Sequence, residues 1–439
     1  MNPSEIRLPK GPSGRWLPTL RFMRDARGTL EKWVQQYGDP ILINALNGPV
    51  VLTGRPDLIA QIFSGDSMNY ETFGKESLSS LLGENSMLLL EGESHRQERK
   101  LIMPMFHGQR MRSYAETIKD CATRTFESKA NGDVVAMHDL TTDISLEVIV
   151  KVLLGADDDS SVALVRHSQQ ILKYAWPIFF FSKKTQIRFL GMSPWDRFVA
   201  AQDRFRELAN REIEKRENDL EGREDILSLF LGARYEDGSA MERDHLFDEL
   251  GTFLFAGHET SAVTMAWAVY CLLTNREALD RLVEELDAAP DLEPTTLTKL
   301  PWLNAVIQET MRMKPIASDV LRVLKEPMTL GEYCIPAGYG LAPAIVLAHF
   351  NKEVYPEPDR FNPQRFIDRK YSSSEFIPFG GGARRCAGAA FALYEMAIVL
   401  GILFSRYELT LKETKPVTLK RRNIVLGPST GVRVAIRRR

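Results

Sequence analysis

The feature that most limits how this chain can fold is the helical periodicity of residues 94–314. Apolar residues recur there at intervals of three and four, most clearly over residues 195–219 and 241–276. Short polar or glycine-containing breaks, such as residues 236–238, separate the predicted helices. The sequence therefore predicts a mainly α protein, with a helical body over residues 94–314 and a smaller β-rich part.

Strand signals lie outside most of this body. The β-rich portions are expected near residues 38–55, 318–345 and 407–437. Asn47-Gly48, between two apolar runs, is typical of a hairpin turn. Gly427-Pro428 is expected to separate two of the terminal strands.

The composition narrows the possible function classes. With 44% hydrophobic and 26% charged residues, the chain of 439 residues has the composition of a globular protein rather than a disordered one. Its 56 basic and 58 acidic residues leave no overall positive field, so nucleic-acid binding is not expected. No repeat or linker is evident, and residues 1–439 are expected to form one domain and a monomer.

The apolar runs are predicted to be too short for a membrane span. The best of them, around residues 250–256 and 396–404, fall below the ~20 residues that a span requires. Residues 387–404 instead predict an apolar helix. The first residues lack the compact apolar segment of a secretory signal, and the four cysteines are too scattered for a disulfide framework. A soluble, cytoplasmic protein with reduced thiols is expected.

The chemistry of the sequence centres on Cys386. Residues 379–388 place this cysteine after a glycine-rich turn and before the long apolar helix. The positive end of a helix, together with Arg384 and Arg385, favours a thiolate. Such a thiolate could be a nucleophile, a zinc ligand or the axial ligand of a heme iron. No Cys/His cluster of zinc spacing lies nearby in the sequence, which makes zinc the weakest of the three.

The segment resembles a known cofactor-binding loop. Its pattern FxxGxRxCxG, formed by Phe379, Gly382, Arg384, Cys386 and Gly388, resembles the heme-binding loop of the cytochrome P-450 superfamily. The resemblance implies a triangular-prism fold in a single large domain. It also implies heme b as the cofactor, held between the long central helix and the cysteine loop, with Cys386 as the ligand of its iron. The chain is similar to the soluble bacterial type and to its fatty-acid-hydroxylase-like branch.

A second motif concerns a charged network. Glu309-Thr310-Met311-Arg312 resembles the family's ExxR motif, in which the i, i+3 spacing puts a carboxylate and a guanidinium on one helix face. Alone, such a pair is typical of solvated helices. Residues 361–366 resemble the family's FxPxRF segment, and the resemblance implies that Arg365 joins Glu309 and Arg312 in a buried network.

A third motif lies in the long predicted helix. Residues 256–260, with the sequence Ala-Gly-His-Glu-Thr, resemble the family's oxygen-activation motif. Gly257 weakens the helix and the Thr260 hydroxyl competes for backbone carbonyls, so this turn is predicted to open into a groove for dioxygen. The resemblance implies that Thr260 hydrogen-bonds bound dioxygen while Glu259 relays protons. His258 is expected to pack on the far face of the helix rather than to bind a metal.

The resemblance also implies residues that hold the two heme propionates, for which the paired donors of arginine are well suited. His95 and Arg99, one helical turn apart, match the family's propionate-binding helix. Arg322 and Arg384 match the other propionate ligands. Each of these residues alone would be interpreted as a solvated surface charge.

The substrate pocket is less constrained by the sequence. By resemblance, Phe255, Ala256 and Ala317 look into it. The aromatic residues of segment 174–189, including Trp176 and residues 179–181, either line an apolar entrance or belong to the core.

These motifs together imply a heme-thiolate monooxygenase that inserts one atom of dioxygen into an apolar organic substrate, such as a fatty acid, a terpene or another lipophilic metabolite. Because no flavin or nicotinamide fingerprint follows a predicted strand, the electrons are expected from a separate ferredoxin or flavodoxin with its NAD(P)H reductase. Lys100, Arg110, Arg112 and Arg385 are candidates for the docking face of that donor.

Two alternatives stay open at this point. One is a peroxide-driven or rearranging heme-thiolate enzyme, and the other is a non-enzymatic heme-thiolate sensor. The presence of both Glu259 and Thr260 argues against the first, because such enzymes typically depart from this acid–alcohol pair, and the same pair is the one feature of the sequence that argues against the sensor.

Overall fold

The computed structural model describes residues 7–106, 108, 110–155, 158–176, 179, 183–217, 220, 222–422 and 425–439. The chain folds as two compact units. Unit 1 comprises Met1–Phe73, Glu91–Ser94 and Gln308–Cys386, and unit 2 comprises Gly74–Leu90, His95–Ile307 and Ala387–Arg439. The single domain expected over residues 1–439 stays a prediction.

Helices dominate the described part of the chain, as the sequence predicts. In chain order they are α1 (Trp16–Arg24), α2 (Ala26–Tyr37), α3 (Pro56–Ser64), α4 (Lys75–Leu82), α5 (Gly92–Ile102), α6 (Arg110–Glu127), α7 (Met137–Leu154), α8 (Asp158–Tyr174), α9 (Pro194–Glu217), α10 (Ile226–Gly232), α11 (Arg243–Leu273), α12 (Arg276–Asp287), α13 (Pro294–Leu297), α14 (Pro301–Met313), α15 (Ile345–Ala348), α16 (Gln364–Asp368) and α17 (Ala389–Arg406). The strands are β1 (Ile41–Ala45), β2 (Gly48–Thr53), β3 (Tyr70–Glu71), β4 (Val134–Ala136), β5 (Arg322–Leu324), β6 (Met328–Leu330), β7 (Tyr333–Ile335), β8 (Gly340–Pro343), β9 (Tyr407–Leu411), β10 (Leu419–Arg422), β11 (Val425–Pro428) and β12 (Arg433–Arg438).

Unit 1 is built on a five-stranded sheet with the strand order β1-β2-β8-β5-β3. β1 and β2 form an antiparallel hairpin around Asn47-Gly48, and Gly48 adopts a φ of 124° that favours glycine. Along β2, Val50 and Leu52 pack into one apolar cluster while Val51 packs into another. Both faces of the sheet are therefore covered, and the sheet gives β5 a rigid position from which to present its side chains.

Unit 2 is organised around α11, which has 31 residues and so spans roughly 46 Å. It packs along α7, where a Cβ added to Gly257 would lie 3.1 Å from Ile149 Cδ1. The Thr141 hydroxyl of α7 donates a hydrogen bond to the Ala262 carbonyl oxygen of α11 at 2.9 Å. This close packing fixes the position of the long helix within unit 2. A small sheet with the order β4-β12-β9 and the two-stranded pair β10-β11 complete the strands of the unit.

One turn prediction in this region is wrong. Gly427-Pro428 lies inside β11 instead of between strands, with Leu419 opposite Pro428 and Lys420 opposite Gly427. Proline is compatible with a strand at an edge position because its missing N–H then removes no ladder bond. In a ribbon of two antiparallel strands, every second residue points its N–H away from the partner strand.

One described helix, α17, is long and apolar enough to cross a membrane by length and composition alone, with a mean hydropathy of 1.6 over 18 residues. The sequence predicts no span of this kind. In the structure 67% of the helix is buried, and it packs against α6, α11 and α12. Its apolar surface therefore contributes to the core of unit 2.

Candidate active site

Cys386 lies on an exposed turn three residues before α17 begins. Its backbone N–H donates a hydrogen bond to the Phe379 carbonyl oxygen at 3.0 Å, which closes the loop that the two residues delimit. All four cysteines belong to the described part of the chain and none forms a disulfide. Cys121 is buried, and burial raises the pKa of its thiol to about 12. Of these two thiols, only that of Cys386 is accessible to a ligand.

The glycines of this loop allow a close approach to α3. A Cβ added to Gly381 would lie 2.2 Å from Cδ2 of Phe63, and one added to Gly382 would lie 2.3 Å from the Phe63 carbonyl oxygen. Gly380 and Gly382 also have φ values of 65° and 64°, which other residues rarely adopt. The glycine-rich sequence is therefore needed to seat the loop against Phe63.

Two arginines accompany the loop in unit 1, Arg322, which is buried, and Arg384, which is half-buried. Arg322 is 4% exposed, and its Nη2 donates a hydrogen bond to the Gly381 carbonyl oxygen at 2.6 Å. Among the residues that the structure describes, the buried Nε of Arg322 has no hydrogen-bond partner. Burial lowers the pKa of Arg322. The Tyr70 phenol raises this pKa, and the positive charge of Arg384 lowers it. A buried cation with a second, half-buried cation close enough to lower its pKa suits an anionic ligand, because the ligand's charge would compensate theirs.

The motif residues on α14 and α16 meet in a buried network. The Glu309 carboxylate accepts hydrogen bonds from Arg312 Nε at 2.7 Å, from Arg312 Nη2 at 2.8 Å and from Arg365 Nε at 3.2 Å. The Asn362 N–H donates to the same carboxylate at 2.9 Å. Glu309 and Arg312 are fully buried, so their pairing is shielded from solvent. The structure thus brings together the three charged residues that the resemblance groups.

His349 extends this network towards the cysteine loop, although no sequence motif includes it. Its carbonyl oxygen accepts a hydrogen bond from Arg312 Nη1 at 2.8 Å, and its Nε2 accepts one from the Ile377 N–H at 2.9 Å. Burial and the nearby Arg312 charge lower the pKa of His349 to about 3, so the ring is neutral and can accept. A chain of hydrogen bonds therefore runs from Glu309 to the residue two positions before Phe379.

Residues 256–260, which resemble the family's oxygen-activation motif, lie in the middle of α11. The helix is continuous through residues 256–260, so the predicted opening of this turn is not seen. The expected competition for a carbonyl is seen, since the Thr260 hydroxyl donates to the Ala256 carbonyl oxygen at 3.0 Å. His258 is 2% exposed, its Nδ1 is 2.9 Å from the Leu254 carbonyl oxygen, and burial lowers its pKa to about 4. His258 is thus a packed, neutral residue.

The other predicted residues lie at the following places. His95 is buried and Arg99 half-buried on α5, and both belong to unit 2 with Glu259 and Thr260, whereas Cys386, Arg322 and Arg384 belong to unit 1. Ala317 is half-buried in unit 1 beside a cluster that includes Ile377. Ala256 is exposed, and half-buried Phe255 lines a cavity of about 220 Å³ within unit 2.

The aromatic residues of segment 174–189 are expected either to line an apolar entrance or to belong to the core, and the described ones differ in their exposure. Phe179 is 3% exposed and packs with Leu81, Trp195 and Phe198, so it belongs to the core. Trp176 is 49% exposed. Phe180 and Phe181 lie outside the described residues.

Comparison with known proteins decides the family. The family model described as "Cytochrome P450" matches residues 9–434. The chain belongs to the cytochrome P450 family. "Putative cytochrome P450 138" of Mycobacterium tuberculosis is 32% identical over 443 residues, covering 100% of this chain and 98% of that protein. "Putative cytochrome P450 135B1" of the same organism is 31% identical, covering 99% of this chain and 92% of its relative.

Solved structures agree on the fold. The retinoic acid-bound cyanobacterial CYP120A1 superposes with a TM-score of 0.86 at 23% identity and covers 99% of this chain and 100% of its own. The cytochrome P450DA heme domain superposes with a TM-score of 0.83 at 20% identity, with 99% and 98% covered. The predicted P450 fold is therefore confirmed. The fatty-acid-hydroxylase-like branch stays a prediction.

Family membership fixes the general chemistry. P450s bind heme b with a thiolate-ligated iron, and this chain is a heme-thiolate monooxygenase that uses dioxygen and a redox partner. The residues of unit 1 fit this cofactor. Cys386 offers an accessible thiol, Arg322 keeps a buried donor without a partner among the described residues, and the loop glycines leave no room for side chains towards Phe63.

Proposed function

We propose that this P450 inserts one oxygen atom into a lipophilic organic substrate, with electrons from a separate ferredoxin or flavodoxin and its NAD(P)H reductase. The substrate class is a fatty acid, a terpene or another lipophilic metabolite. We place the protein in the cytoplasm as a monomer. The observation that carries the proposal is the accessible Cys386 thiol on a loop that shares a hydrogen bond with the buried Arg322.

In this proposal the residues that the resemblance assigns to the cofactor hold it. Cys386 ligates the iron as a thiolate, and Arg322 and Arg384 hold propionate carboxylates, together with His95 and Arg99 of α5. The unpartnered Nε of Arg322 supports this assignment, because a propionate would satisfy both its charge and its missing hydrogen bond. When bound, the heme supplies the redox chemistry that splits dioxygen and transfers one oxygen atom.

The protein's own proton donors lie on α11. We assign Thr260 to hold a proton at its Oγ1 and Glu259 to pass protons towards that hydroxyl. The hydrogen bond of Thr260 to the Ala256 carbonyl oxygen supports this role. This bond lies within one helical turn, so the hydroxyl can turn to another acceptor while the backbone hydrogen bonds of the helix stay intact.

The cavity that Phe255 lines has a mixed lining. Ile171 and Phe198 give it apolar walls, whereas Asp203 and Arg206 add charged groups. Such a lining favours a substrate that combines a hydrocarbon part with a polar or charged function. Retinoic acid, which the cyanobacterial CYP120A1 structure contains, has this character and belongs in a substrate screen.

The electron donor is proposed to dock at basic residues. Arg112 and Arg385 are exposed, and Arg110 is half-buried. Lys100 is paired with Glu236, so it contributes less free charge. An acidic ferredoxin or flavodoxin would be attracted to such basic residues, and that attraction would weaken as salt is added.

Product formation under labelled dioxygen tests the proposal. The heme-loaded chain is supplied with NADPH, reductase and either ferredoxin or flavodoxin, and screened against fatty acids, terpenes and retinoic acid under ¹⁸O₂. We expect a product that carries one ¹⁸O atom and requires both NADPH and the donor protein.

Two other results would contradict the proposal in different ways. Product formed with hydrogen peroxide and with no donor combination would identify a peroxide-driven enzyme. Ligand-induced shifts of the heme spectrum with no product in any arm would identify a sensor.

A further inference from the structure

A buried cluster of two carboxylates and one imidazole lies in unit 2, outside all the heme motifs. Glu98 on α5 and Glu249 on α11 are fully buried, and His245 lies one helical turn before Glu249. The His245 Nε2 atom is 3.3 Å from Glu98 Oε2 and 3.9 Å from Glu249 Oε1. We propose that these three side chains form a binding site for a divalent transition-metal ion, Zn²⁺, separate from the heme.

Each of the three residues keeps one buried atom unpartnered. Among the described residues, Glu98 Oε1, His245 Nε2 and Glu249 Oε2 are buried without a hydrogen bond. Buried polar atoms in native proteins are nearly always paired, so three such atoms in one cluster require an explanation. Each residue also offers one ligand atom within 4.8 Å of those of the other two, so one cation could be bound by all three side chains.

The remaining polar atoms of the cluster are already held by neighbours. The Tyr235 hydroxyl donates to Glu98 Oε2 at 2.8 Å and lies 3.4 Å from His245 Nδ1. The Met87 N–H donates to Glu249 Oε1 at 2.5 Å. When His245 Nδ1–H donates to the Tyr235 oxygen, its Nε2 carries the lone pair that a metal needs. Support of this kind behind the ligands is typical of metal sites in proteins.

Distances and charge both favour zinc. Zinc binds nitrogen and oxygen at about 2.0–2.2 Å, which puts neighbouring ligand atoms of a tetrahedron roughly 3.3–3.6 Å apart. His245 Nε2 lies at similar distances, 3.3 and 3.9 Å, from Glu98 Oε2 and Glu249 Oε1, the oxygens that also accept the hydrogen bonds from Tyr235 and Met87. As ligands of Zn²⁺, two carboxylates and a neutral imidazole would together carry a charge of −2, which the ion would neutralise.

The cluster discriminates among cations. The His245 side chain is 19% exposed, which places the cluster near the surface of unit 2. Mg²⁺ and Ca²⁺ prefer six or more oxygen ligands, which two carboxylates and an imidazole do not supply. Imidazole with carboxylates suits zinc. A bound ion would join α5, which carries His95 and Arg99, to the long helix α11.

Zinc titration of the heme-loaded protein tests the proposal. The holoprotein is treated with EDTA, dialysed and titrated with ZnCl₂, while bound zinc, Tm and the zinc K-edge X-ray absorption spectrum are measured. We expect one tightly bound zinc per chain, a rise in Tm that saturates with it, and a first shell of nitrogen and oxygen without sulfur. The reduced carbon monoxide spectrum should not change, which separates this site from the heme.

Variants assign the site. Glu249→Gln and, independently, His245→Asn should weaken zinc binding by at least about tenfold, since even residues behind a metal ligand are typically worth 10–100-fold. Asp248→Asn is the matched control, because that carboxylate is held by Asn85 outside the cluster and should keep the zinc response. The proposal would be overturned if the parent bound no zinc, if the first shell of the zinc contained sulfur, or if both cluster variants bound zinc as tightly as the parent. MgCl₂ should give no saturable rise in Tm, and a rise equal to that of zinc would also count against it.

Discussion

At the scale of one residue, Thr260 has a hydroxyl that is held by a single hydrogen bond to its own helix. Its Oγ1 donates to the Ala256 carbonyl oxygen at 3.0 Å, although that carbonyl lies in the continuous ladder of α11. The hydroxyl is therefore held by a second, weaker bond that a new acceptor can replace. This arrangement predicts a change in chemistry without a change in fold when the hydroxyl is removed.

Thr260→Ala should keep the fold, the heme and the reduced carbon monoxide spectrum, because only one half-buried hydroxyl is lost. With a donor system and a substrate found by screening, a larger share of NADPH electrons should end as hydrogen peroxide. Proton transfer by a positioned group is typically worth ~10²–10⁴-fold, so product per NADPH should fall by about tenfold or more. Parallel assays of product, NADPH and peroxide measure the effect.

Thr264→Ala is the matched control for this prediction. The Thr264 hydroxyl bonds in the same way, to the Thr260 carbonyl oxygen at 2.9 Å, one turn further along α11. Its removal should leave coupling as in the parent. Equal coupling in Thr260→Ala and the parent would remove Thr260 from the proton path.

At the scale of elements, the cysteine loop depends on its contact with α3. In Gly381→Ala the new Cβ would lie 2.2 Å from the Phe63 ring, so loop and ring must separate. We expect a lower Tm and partial loss of heme during size-exclusion chromatography. Gly232→Ala, at a position with no heavy atom within 4 Å, should show neither effect.

A double-variant cycle identifies the cause. If the Phe63 ring is the obstacle, Gly381→Ala should cost less stability in a Phe63→Ala background than in the parent, because neighbouring residues couple. A cost that is equal in both backgrounds would place the strain elsewhere in the loop.

At the same scale, the charged network of Glu309, Arg312 and Arg365 joins α14 to α16. Glu309→Ala leaves Arg312 and Arg365 buried without their carboxylate, and removing one partner of a buried ion pair typically costs ~3–5 kcal/mol. We expect this variant to retain little heme and to unfold at a lower temperature, as seen by absorbance and calorimetry.

Glu207→Ala serves as its control. Glu207 pairs with Arg204 at the same i, i+3 spacing, but both side chains are about half exposed. Its loss should cost at most ~1 kcal/mol, as for other surface pairs. A fully heme-loaded Glu309→Ala protein as heat-resistant as Glu207→Ala would show that the buried pairing contributes little.

At the scale of the whole molecule, the sequence predicts those elements that periodicity and local motifs determine. The helical body, the hairpin at Asn47-Gly48 and the helix after Cys386 follow from local patterns, and the structure contains all three. Gly427-Pro428 misleads because the same dipeptide fits a turn or the end of an edge strand.

Contacts between distant segments are beyond such patterns. His349 meets Ile377 across 28 positions, and Glu98 meets Tyr235 across 137, with no spacing rule that links them. The sequence names Glu309, Arg312 and Arg365 only through resemblance, and the hydrogen bonds that join them appear only in the folded chain. Residues placed by tertiary packing therefore need the structure.

The proposed chemistry depends on Cys386 as the ligand of the heme iron. The spectrum of the reduced protein with carbon monoxide tests this ligation directly. The parent should show the far red-shifted Soret band of thiolate-ligated heme, and Cys121→Ala should keep it because that thiol is buried in the core. Cys386→His should lose the band while still binding heme. An unchanged red-shifted band in Cys386→His would contradict the account and place the ligand elsewhere.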